Sequence, residues 1–293
     1  MKTRTEQSRA VLEKVAAAAG LSFTGAQPIR LAENDLWRLP GNVVVRIARG
    51  GQEAAATREV AVARWLDKHG IPAVRPLPVE QPVHAGGRAA TFWEELPEHR
   101  DGTPADLAPL LRRLHYLPLP PFAIGKLDPF VRLGDRLAAT RSVSDRDRRW
   151  LLNRLNDLHT QWRNLPGRRP ECVVHGDAWG GNCAITSQGA VLLDFERTAQ
   201  GPPEWDLASI AVEHETFGSL SRTEYQEFCD AYGYDVTTWP GYRTLRDIRE
   251  LRKATFALQI ADDDPAAAEQ ARFRLACLRG QHGERPWGWT AVG

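Results

Sequence analysis

The chain has 293 residues, enough for a well-buried core arranged as one domain or as two lobes. Its 38 basic residues almost balance its 37 acidic ones, and a net charge of +1 argues against a nucleic-acid-binding protein. Its 4 cysteines show no CxxC spacing, which excludes an obvious zinc site or disulfide framework. The N-terminus lacks the apolar core of a signal peptide, and the alanine run at 16–19 is too short to span a membrane. We therefore expect a cytoplasmic protein with no membrane partner.

The first third of the chain mixes helical and extended patterns. A helix over 4–19 ends at Gly20, and the turn Pro40-Gly41-Asn42 joins the second and third of the strands that follow. A second helix over 52–69 is terminated by Gly70 and Pro72. The predicted strands are 29–31, 35–39, 43–47, 74–79 and 89–95.

After residue 96 the pattern becomes mostly helical. The predicted helices are 105–114, one that starts at Ser144, and 204–217, 222–232, 243–260 and 265–278. Two short strands, 172–174 and 190–194, interrupt them. Strands with one long helix, followed by helices, are typical of an α+β protein with two lobes, here 1–95 and 96–293.

The segment His175-Gly-Asp-Ala-Trp-Gly-Gly-Asn182 carries the strongest chemical signal. Asn182 follows Asp177 by five residues, the spacing of a kinase catalytic loop, and Asp194 follows the apolar run 190–193. Phosphoryl transfer needs a carboxylate that accepts the proton of the attacking hydroxyl, together with metal ions that hold the triphosphate. Each residue alone would fit a turn with solvated acids, but the ordered set favours a phosphotransferase.

Four motifs together resemble the aminoglycoside phosphotransferase family, which also covers choline kinases and related sugar kinases. They are Val173-Val-His-Gly-Asp177, Asn182, Leu192-Leu-Asp-Phe-Glu196 and Gly201-Pro-Pro-Glu-Trp-Asp-Leu-Ala208. The resemblance implies a protein-kinase-like fold. Residues 1–95 would form the nucleotide-binding lobe, and 96–293 would carry the catalytic loop and the acceptor site. ATP or GTP and Mg²⁺ are the implied cofactors, and a small-molecule hydroxyl is the implied acceptor.

The resemblance also implies roles for individual residues. Asp177 is expected to act as the base or to orient the hydroxyl, with His175 bracing its loop. Asn182 and Asp194 are expected to hold magnesium through oxygen atoms, for which two protein ligands suffice. Asp206 resembles the acid that supports the catalytic loop without touching the substrate.

The phosphate clamp departs from the protein-kinase pattern. Those enzymes use a lysine on the third strand and a glutamate on the next helix, whereas this chain offers Arg46 and Glu59. Arginine can hold phosphate oxygens at two points, so the pair is chemically suitable. The alternative is a surface arginine and an exposed helical glutamate. Glu196 stands where protein kinases have glycine, a difference common among small-molecule kinases.

The remaining nucleotide contacts have weaker signals. The chain lacks Gly-x-Gly-x-x-Gly and Walker motifs, which removes the main signature of a Rossmann dehydrogenase or a Walker-type kinase. We therefore assign the turn 32–35, with Asn34, to cover the phosphates. Adenine is expected to bond backbone groups from Glu94 to Leu96, although this segment would also fit an edge strand that ends in a loop.

The acceptor is the least defined part. Glu204, Glu213 and His214 lie on or near one helix, and Trp179 could form an apolar wall. Further acids at 230, 235 and 262–264 would suit a polycationic antibiotic, but such clusters also occur on solvated helix surfaces. An aminoglycoside-like or other antibiotic is our favoured acceptor. The alternatives are a sugar or amino-alcohol kinase, a nucleotide-binding pseudokinase and a nucleotidyltransferase. The oligomeric state stays open.

Overall fold

A computed structural model of the chain describes residues 3–32, 34–262 and 264–292, so Glu33 in the predicted phosphate turn and Asp263 in the acidic run lie outside the described residues. The helices are α1 (Arg4–Ala18), α2 (Glu53–Lys68), α3 (Pro104–His115), α4 (Leu133–Ala139), α5 (Asp145–Arg163), α6 (Glu204–Val212), α7 (Arg222–Tyr232), α8 (Tyr242–Ile260) and α9 (Pro265–Leu278). The strands are β1 (Gln27–Leu31), β2 (Asp35–Leu39), β3 (Val43–Ile47), β4 (Val83–Ala85), β5 (Arg88–Glu94), β6 (Arg100–Asp101), β7 (Cys172–Val174), β8 (Cys183–Thr186), β9 (Gly189–Leu192) and β10 (Ala199–Gly201).

The chain divides into two compact units. The first contains Met1–Ile124 and Gly180–Ala199, and the second contains Gly125–Trp179 and Gln200–Gly293. Residues 96–124 group with the N-terminal part because β6 pairs with β8 and α3 packs on β8 and β9. The division of roles at residue 95, into nucleotide-binding and acceptor-binding parts, stays a prediction.

The first unit is built on an antiparallel sheet. Over the described residues its strand order is β1-β2-β3-β5-β4, with the predicted turn at Gly41 and Asn42 between β2 and β3. Along β3, Val43, Val45 and Ile47 are buried in a core shared with α1, while the alternate side chains point to the other face. This alternation places Arg46 on the face opposite to α1.

A smaller sheet, in the order β6-β8-β9, completes the first unit. The backbones of Gly102 and Gly180 approach closely at its edge: a Cβ atom on Gly180 would lie 2.5 Å from the Gly102 carbonyl oxygen. A Cβ atom on Gly102 would lie 2.9 Å from the Cys183 side chain. Glycine at both positions therefore allows the hairpin β8–β9 to pack against the chain before α3.

The second unit is organised around α8. This helix packs against α4, α5, α6 and α9, and Leu245, Ile248, Leu251 and Leu258 are buried along it. A π-helical turn (Glu213–Phe217) continues α6, and β7 pairs with β10. The predicted capping box of α7 is confirmed, because the Ser221 hydroxyl accepts from the Glu224 amide and the Glu224 carboxylate accepts from the Ser221 amide.

The predicted α+β class is correct, but some elements differ from the expectations. The predicted strand over 74–79 is wrong: Pro76 and Pro78 lack amide hydrogens for a ladder, and among the described residues only an isolated bridge at Pro76 forms there. The sequence analysis missed β4, β6, β8, β10 and α4, which are all short. Within the described ranges, no helix is long and apolar enough to cross a membrane.

We expect Gly180→Ala to lower the free energy of unfolding by about 1–3 kcal/mol, because the new methyl group overlaps the Gly102 carbonyl. Urea unfolding measures this change. Gly134→Ala is the matched control: Gly134 is exposed within α4 and a Cβ atom there meets nothing within 4 Å. The control should be neutral or stabilising by up to about 1 kcal/mol, as for a helical glycine replaced by alanine. Equal effects of both substitutions would contradict the close-approach argument.

Candidate active site

The hairpin β8–β9 brings Asn182 next to Asp194. Its register pairs Cys183 with Leu192, and the Leu193 amide donates to the Asn182 carbonyl at 3.0 Å. Asn182 is buried, whereas the Asp194 side chain is 38% exposed. Asp194 adopts a left-handed backbone (φ 56°), which is uncommon outside glycine, asparagine and aspartate. The two predicted metal ligands therefore meet across one hairpin.

Arg46 lies at the centre of a cluster of carboxylates. Its guanidinium pairs with Glu59 on α2, bonds Glu196 Oε2 at 2.5 Å and lies 3.7 Å from Asp194 Oδ1. The Arg46 and Glu59 side chains are only 13% and 4% exposed, so the alternative of a surface arginine with an exposed glutamate is wrong. Glu196 was not assigned to this contact from the sequence, because the two partners are 150 residues apart.

Burial and neighbouring charges shift the pKa values of the groups around Arg46. Burial raises the pKa of Glu59 to about 7, and the charges of Asp194 and Glu196 add to this effect while Arg46 opposes it. Burial of Arg46 would lower the pKa of its guanidinium, but the attraction of Glu59, Asp194 and Glu196 outweighs burial and raises it. The cluster therefore combines burial with strong mutual charge interactions.

The oxygen atoms of Asn182 and Asp194 suit Mg²⁺, which prefers few protein ligands together with water and phosphate oxygens. Asp194 also lies within the carboxylate cluster around Arg46, so the residues present fit the metal that the sequence implies. In the part of the chain that the structure describes, no group of three or more His, Cys, Asp and Glu residues could hold a metal ion.

The loop that carries Asp177 belongs to the second unit and is held by Asp206. The buried Asp206 carboxylate accepts from the His175 amide at 2.7 Å and from the Gly176 amide at 2.9 Å. The Trp205 indole N–H donates to the Gly176 carbonyl at 3.2 Å. His175 is fully buried and Asp177 is half-buried. These bonds fix the backbone immediately before Asp177.

A buried arginine on α8, Arg249, holds Trp205 in place through hydrogen bonds to the Trp205 carbonyl. Both Nε and Nη2 of Arg249 donate to the Trp205 carbonyl, the first at 3.1 Å, and the guanidinium lies 4.0 Å from the Trp205 ring centroid. Burial lowers the pKa of Arg249 to about 10, against the opposing charges of Asp206, Asp177 and Glu213. The sequence analysis missed Arg249, since a charged residue in a long helix looks like a solvent-facing position.

The predicted acceptor residues differ in their environments. Glu204 is 1% exposed and accepts from the Arg169 amide at 2.9 Å, so neither a solvated surface position nor substrate contact fits its burial. His214 Nδ1 lies 2.9 Å from the Leu220 carbonyl, and its ring stacks on Tyr225. Trp179 is 46% exposed. Burial raises the pKa of the half-buried Glu213, which interacts electrostatically with Lys253, Arg249 and Asp177.

Some of the backbone groups that are predicted to contact the nucleotide form hydrogen bonds within the protein. The Glu94 amide donates to the Arg75 carbonyl and the Glu95 amide to the Asn42 carbonyl, each at 2.8 Å. Asn34 Oδ1 accepts from the Arg49 amide at 3.4 Å, which ties the turn before β2 to the loop after β3. Asp35 in the same turn is buried and pairs with Arg88 at 2.6 Å. Asp35 is thus a structural residue of the first unit.

The structure thus brings two groups of predicted residues together, one in each unit. Arg46, Glu59, Asn182 and Asp194 meet in the first unit, together with Glu196. His175, Asp177, Asp206 and Glu213 belong to the second, together with Arg249 and Lys253.

Comparison with known proteins identifies a family and a fold. The sequence profile of the phosphotransferase enzyme family matches residues 26–248. No curated protein matches the chain. Among solved structures, a choline/ethanolamine kinase family protein from Mesorhizobium loti is 20% identical with a TM-score of 0.66, over 95% of this chain and 94% of that one.

Two enzymes solved with bound ligands are also similar. Amicoumacin kinase hAmiN, solved with AMP-PNP, Ca²⁺ and Ami, is 15% identical with a TM-score of 0.69, over 93% of each chain. The aminoglycoside phosphotransferase APH(3'')-Id from Streptomyces rimosus ATCC10970, solved with ADP and streptomycin, is 22% identical with a TM-score of 0.58, over 83% of this chain and 97% of that one. At such identities the similarity shows the fold, and the predicted protein-kinase-like fold is confirmed.

We expect Arg46→Met to lower the free energy of unfolding by about 3–5 kcal/mol, because Glu59 and Glu196 lose their shared cation. Glu59→Gln should cost less, and the double variant should recover part of the loss, with a coupling of about 0.5–3 kcal/mol measured by urea unfolding. Arg9→Met is the control, since Arg9 pairs with Glu13 on the exposed face of α1, where a pair contributes about 0.5 kcal/mol or less. Additive effects of Arg46→Met and Glu59→Gln would contradict a shared cluster.

Proposed function

This chain belongs to the phosphotransferase enzyme family, and we propose that it transfers the terminal phosphoryl group of ATP or GTP to a hydroxyl group of a small molecule. The observation that carries the proposal is the meeting of Asn182 with Asp194 beside the buried cluster of Arg46. A metal-bound triphosphate requires oxygen ligands for the metal and a cation for its phosphates, and this part of the chain offers both.

In this proposal Arg46 holds the phosphates, and Glu59 and Glu196 orient its guanidinium. Both carboxylates contact Arg46, so its planar fork has a fixed direction before any nucleotide arrives. Asn182 and Asp194 would hold Mg²⁺, which would neutralise charge on the bound triphosphate. Asn34 covers the phosphates. Since the Glu94 and Glu95 amides are engaged, the base bonds the Leu96 amide and the Glu94 carbonyl.

Asp177 is the residue that accepts the proton of the attacking hydroxyl or orients that hydroxyl. Its position on the loop is set by the bonds of Asp206 to the His175 and Gly176 amides, so a rigid backbone presents the carboxylate. Asp206 and His175 therefore support the loop and do not touch the substrate. The presence of Asp177, Asn182 and Asp194 in one chain argues against a pseudokinase.

An antibiotic is our proposed acceptor, with Trp179 and Glu213 beside it. The structurally similar amicoumacin kinase and the streptomycin-bound APH(3'')-Id support this choice, and the choline/ethanolamine kinase family protein supports a small amino alcohol as the alternative. Glu204 and His214 were also predicted here, but their contacts within the protein leave Glu213 as the better candidate. A screen for ADP or GDP production across antibiotics, sugars and amino alcohols tests the proposed reaction.

We expect Asp177→Asn to lower turnover by about 10²–10⁴-fold with little change in nucleotide affinity, because the amide cannot accept the hydroxyl proton. Steady-state kinetics and calorimetry with a non-hydrolysable nucleotide measure the two quantities. Asp230→Asn on the exposed surface of α7, where Asp230 accepts from Gln226, should leave both unchanged. Near-normal turnover of Asp177→Asn would remove Asp177 from the chemical step.

We expect Asp194→Asn to abolish the strengthening of nucleotide binding by Mg²⁺. Asparagine keeps the shape and tolerates the left-handed backbone at this position, so the loss reports the carboxylate charge and not a misfolded turn. Calorimetric titration with AMP-PNP, with and without Mg²⁺, gives the measurement. Asp67→Asn, at an exposed pair with Arg75, is the control and should retain the magnesium effect. Retention of that effect in Asp194→Asn would show that the metal binds elsewhere.

A further inference from the structure

Helices α2 and α3 end beside a cavity of the first unit. The Arg113 guanidinium donates to the Gly70 carbonyl at 2.6 Å, which ties the last turn of α3 to the residue after the cap of α2. The cavity has a volume of about 380 Å³, a size suited to a small molecule. His69 at its edge follows Glu59 by ten residues, about 15 Å along a helix, so the cavity is separate from the cluster around Arg46. Its lining residues are His69, Ile71, Arg112, Arg113, Tyr116 and Leu117.

The floor of this cavity is held by backbone hydrogen bonds. Ile71 is buried, and its amide donates to the Leu66 carbonyl at 3.0 Å, in the last turn of α2. The carbonyl of the next residue, Pro72, accepts from the Leu192 amide on β9 at 3.0 Å, and the Leu192 carbonyl accepts from the Val74 amide at 3.0 Å. Helix α3 packs on the same strand. The apolar floor and the helix that carries the arginines are therefore tied to one strand, which lowers the cost of ordering a site for a ligand.

The wall of the cavity carries positive charge. Among the described residues, those that line it supply two guanidinium groups and an imidazole, and none of them is acidic. Arg112 is exposed and forms no hydrogen bond or ion pair with another described residue, and its guanidinium is always charged. Asp67, two residues before His69, pairs with Arg75 at 3.4 Å. The cavity therefore offers a cation that no acid in its wall balances.

A structural role explains only one of the two arginines. Basic side chains at helix C-termini stabilise the last carbonyl groups, and Arg113 does so through its bond to Gly70. Arg112 bonds no carbonyl among the described residues. Tyr116 follows Arg112 by four residues, so both side chains lie on one face of α3, and Tyr116 is 75% exposed. The cavity thus places a guanidinium and an aromatic ring side by side above an apolar floor.

We propose that this cavity is a second ligand site, which binds a small organic anion with an aromatic body. The Arg112 guanidinium binds the carboxylate or phosphate of the ligand, because its planar fork can bond two anion oxygens at once. The Tyr116 ring and Ile71 contact the body of the ligand. A neutral analogue lacks the charge and an inorganic anion lacks the body, so each binds more weakly. The site is independent of the proposed phosphoryl transfer, and no covalent bond forms or breaks in it.

The test is calorimetric titration of the full chain with four probes: benzoate, phenyl phosphate, the neutral benzamide and inorganic phosphate. AMP-PNP and Mg²⁺ are present in excess, so that the probes do not compete for the proposed nucleotide site. We expect benzoate or phenyl phosphate to bind more tightly than benzamide and inorganic phosphate. The comparison of benzoate with phenyl phosphate shows whether the site prefers a carboxylate or a phosphate.

Arg112→Gln should weaken binding of the aromatic anion by about 10- to 100-fold, the range for a charge-assisted bond. Tyr116→Ala should weaken the same binding and leave that of inorganic phosphate unchanged. Both side chains are exposed, so neither substitution should alter urea unfolding. Arg30→Gln is the matched control: Arg30 is an exposed arginine of β1 that bonds no other described residue with its side chain, and its replacement should leave binding unchanged.

Three results would overturn the proposal. The first is the absence of binding of both aromatic anions at millimolar concentration, and the second is binding of benzamide as tight as that of benzoate. The third is unchanged binding of the aromatic anion in Arg112→Gln, which would place the probe elsewhere on the chain. Failure of the proposed phosphotransferase function is seen separately, as the absence of Mg²⁺-dependent ADP production, and leaves this test unaffected.

Discussion

The first unit depends on a single buried guanidinium that serves three carboxylates. Arg46 joins a strand of the sheet, the helix after it and the segment that follows β9, through Glu59, Glu196 and Asp194. The buried Glu59 would be costly without a cation, and the buried Arg46 would be costly without its carboxylates. The cluster therefore fixes how β3, α2 and the Asp194 segment lie within this unit. Arg58 adds a second tie from α2, since its guanidinium bonds the Glu196 carbonyl at 2.7 Å.

The same cluster explains why a metal-dependent reaction suits this unit. Burial raises the pKa of Glu59 to about 7, and the charges of Asp194 and Glu196 add to this effect. A divalent cation bound among these carboxylates would stabilise the folded unit, because ligands that bind only the folded state stabilise it. The backbone at Asp194, held in a left-handed conformation, is consistent with a carboxylate oriented for function.

Short-range sequence patterns predicted much of this arrangement. They could not predict contacts between residues that are distant in the sequence. The turn at Gly41 and Asn42, the α7 capping box and the Asp177-to-Asn182 spacing are short-range patterns whose physics lies within a few residues. The strand predicted over 74–79 does not form, because Pro76 and Pro78 within it cannot donate to a ladder. Strand β8 is four residues long, too short to show periodicity, although it brings Asn182 to Asp194. The partners Glu196 of Arg46 and Trp205 of Arg249 are distant in sequence, and no local pattern pairs them.

Helix α8 shows how a core element can hold the loop that carries Asp177. Arg249 faces inward, where its guanidinium donates to the Trp205 carbonyl and lies over the Trp205 ring. The Trp205 indole in turn bonds the Gly176 carbonyl, in the backbone just before Asp177. Because Arg249 lies on a helix packed against α4, α5, α6 and α9, the core of the second unit fixes Trp205 and, through the indole of Trp205, the backbone before Asp177.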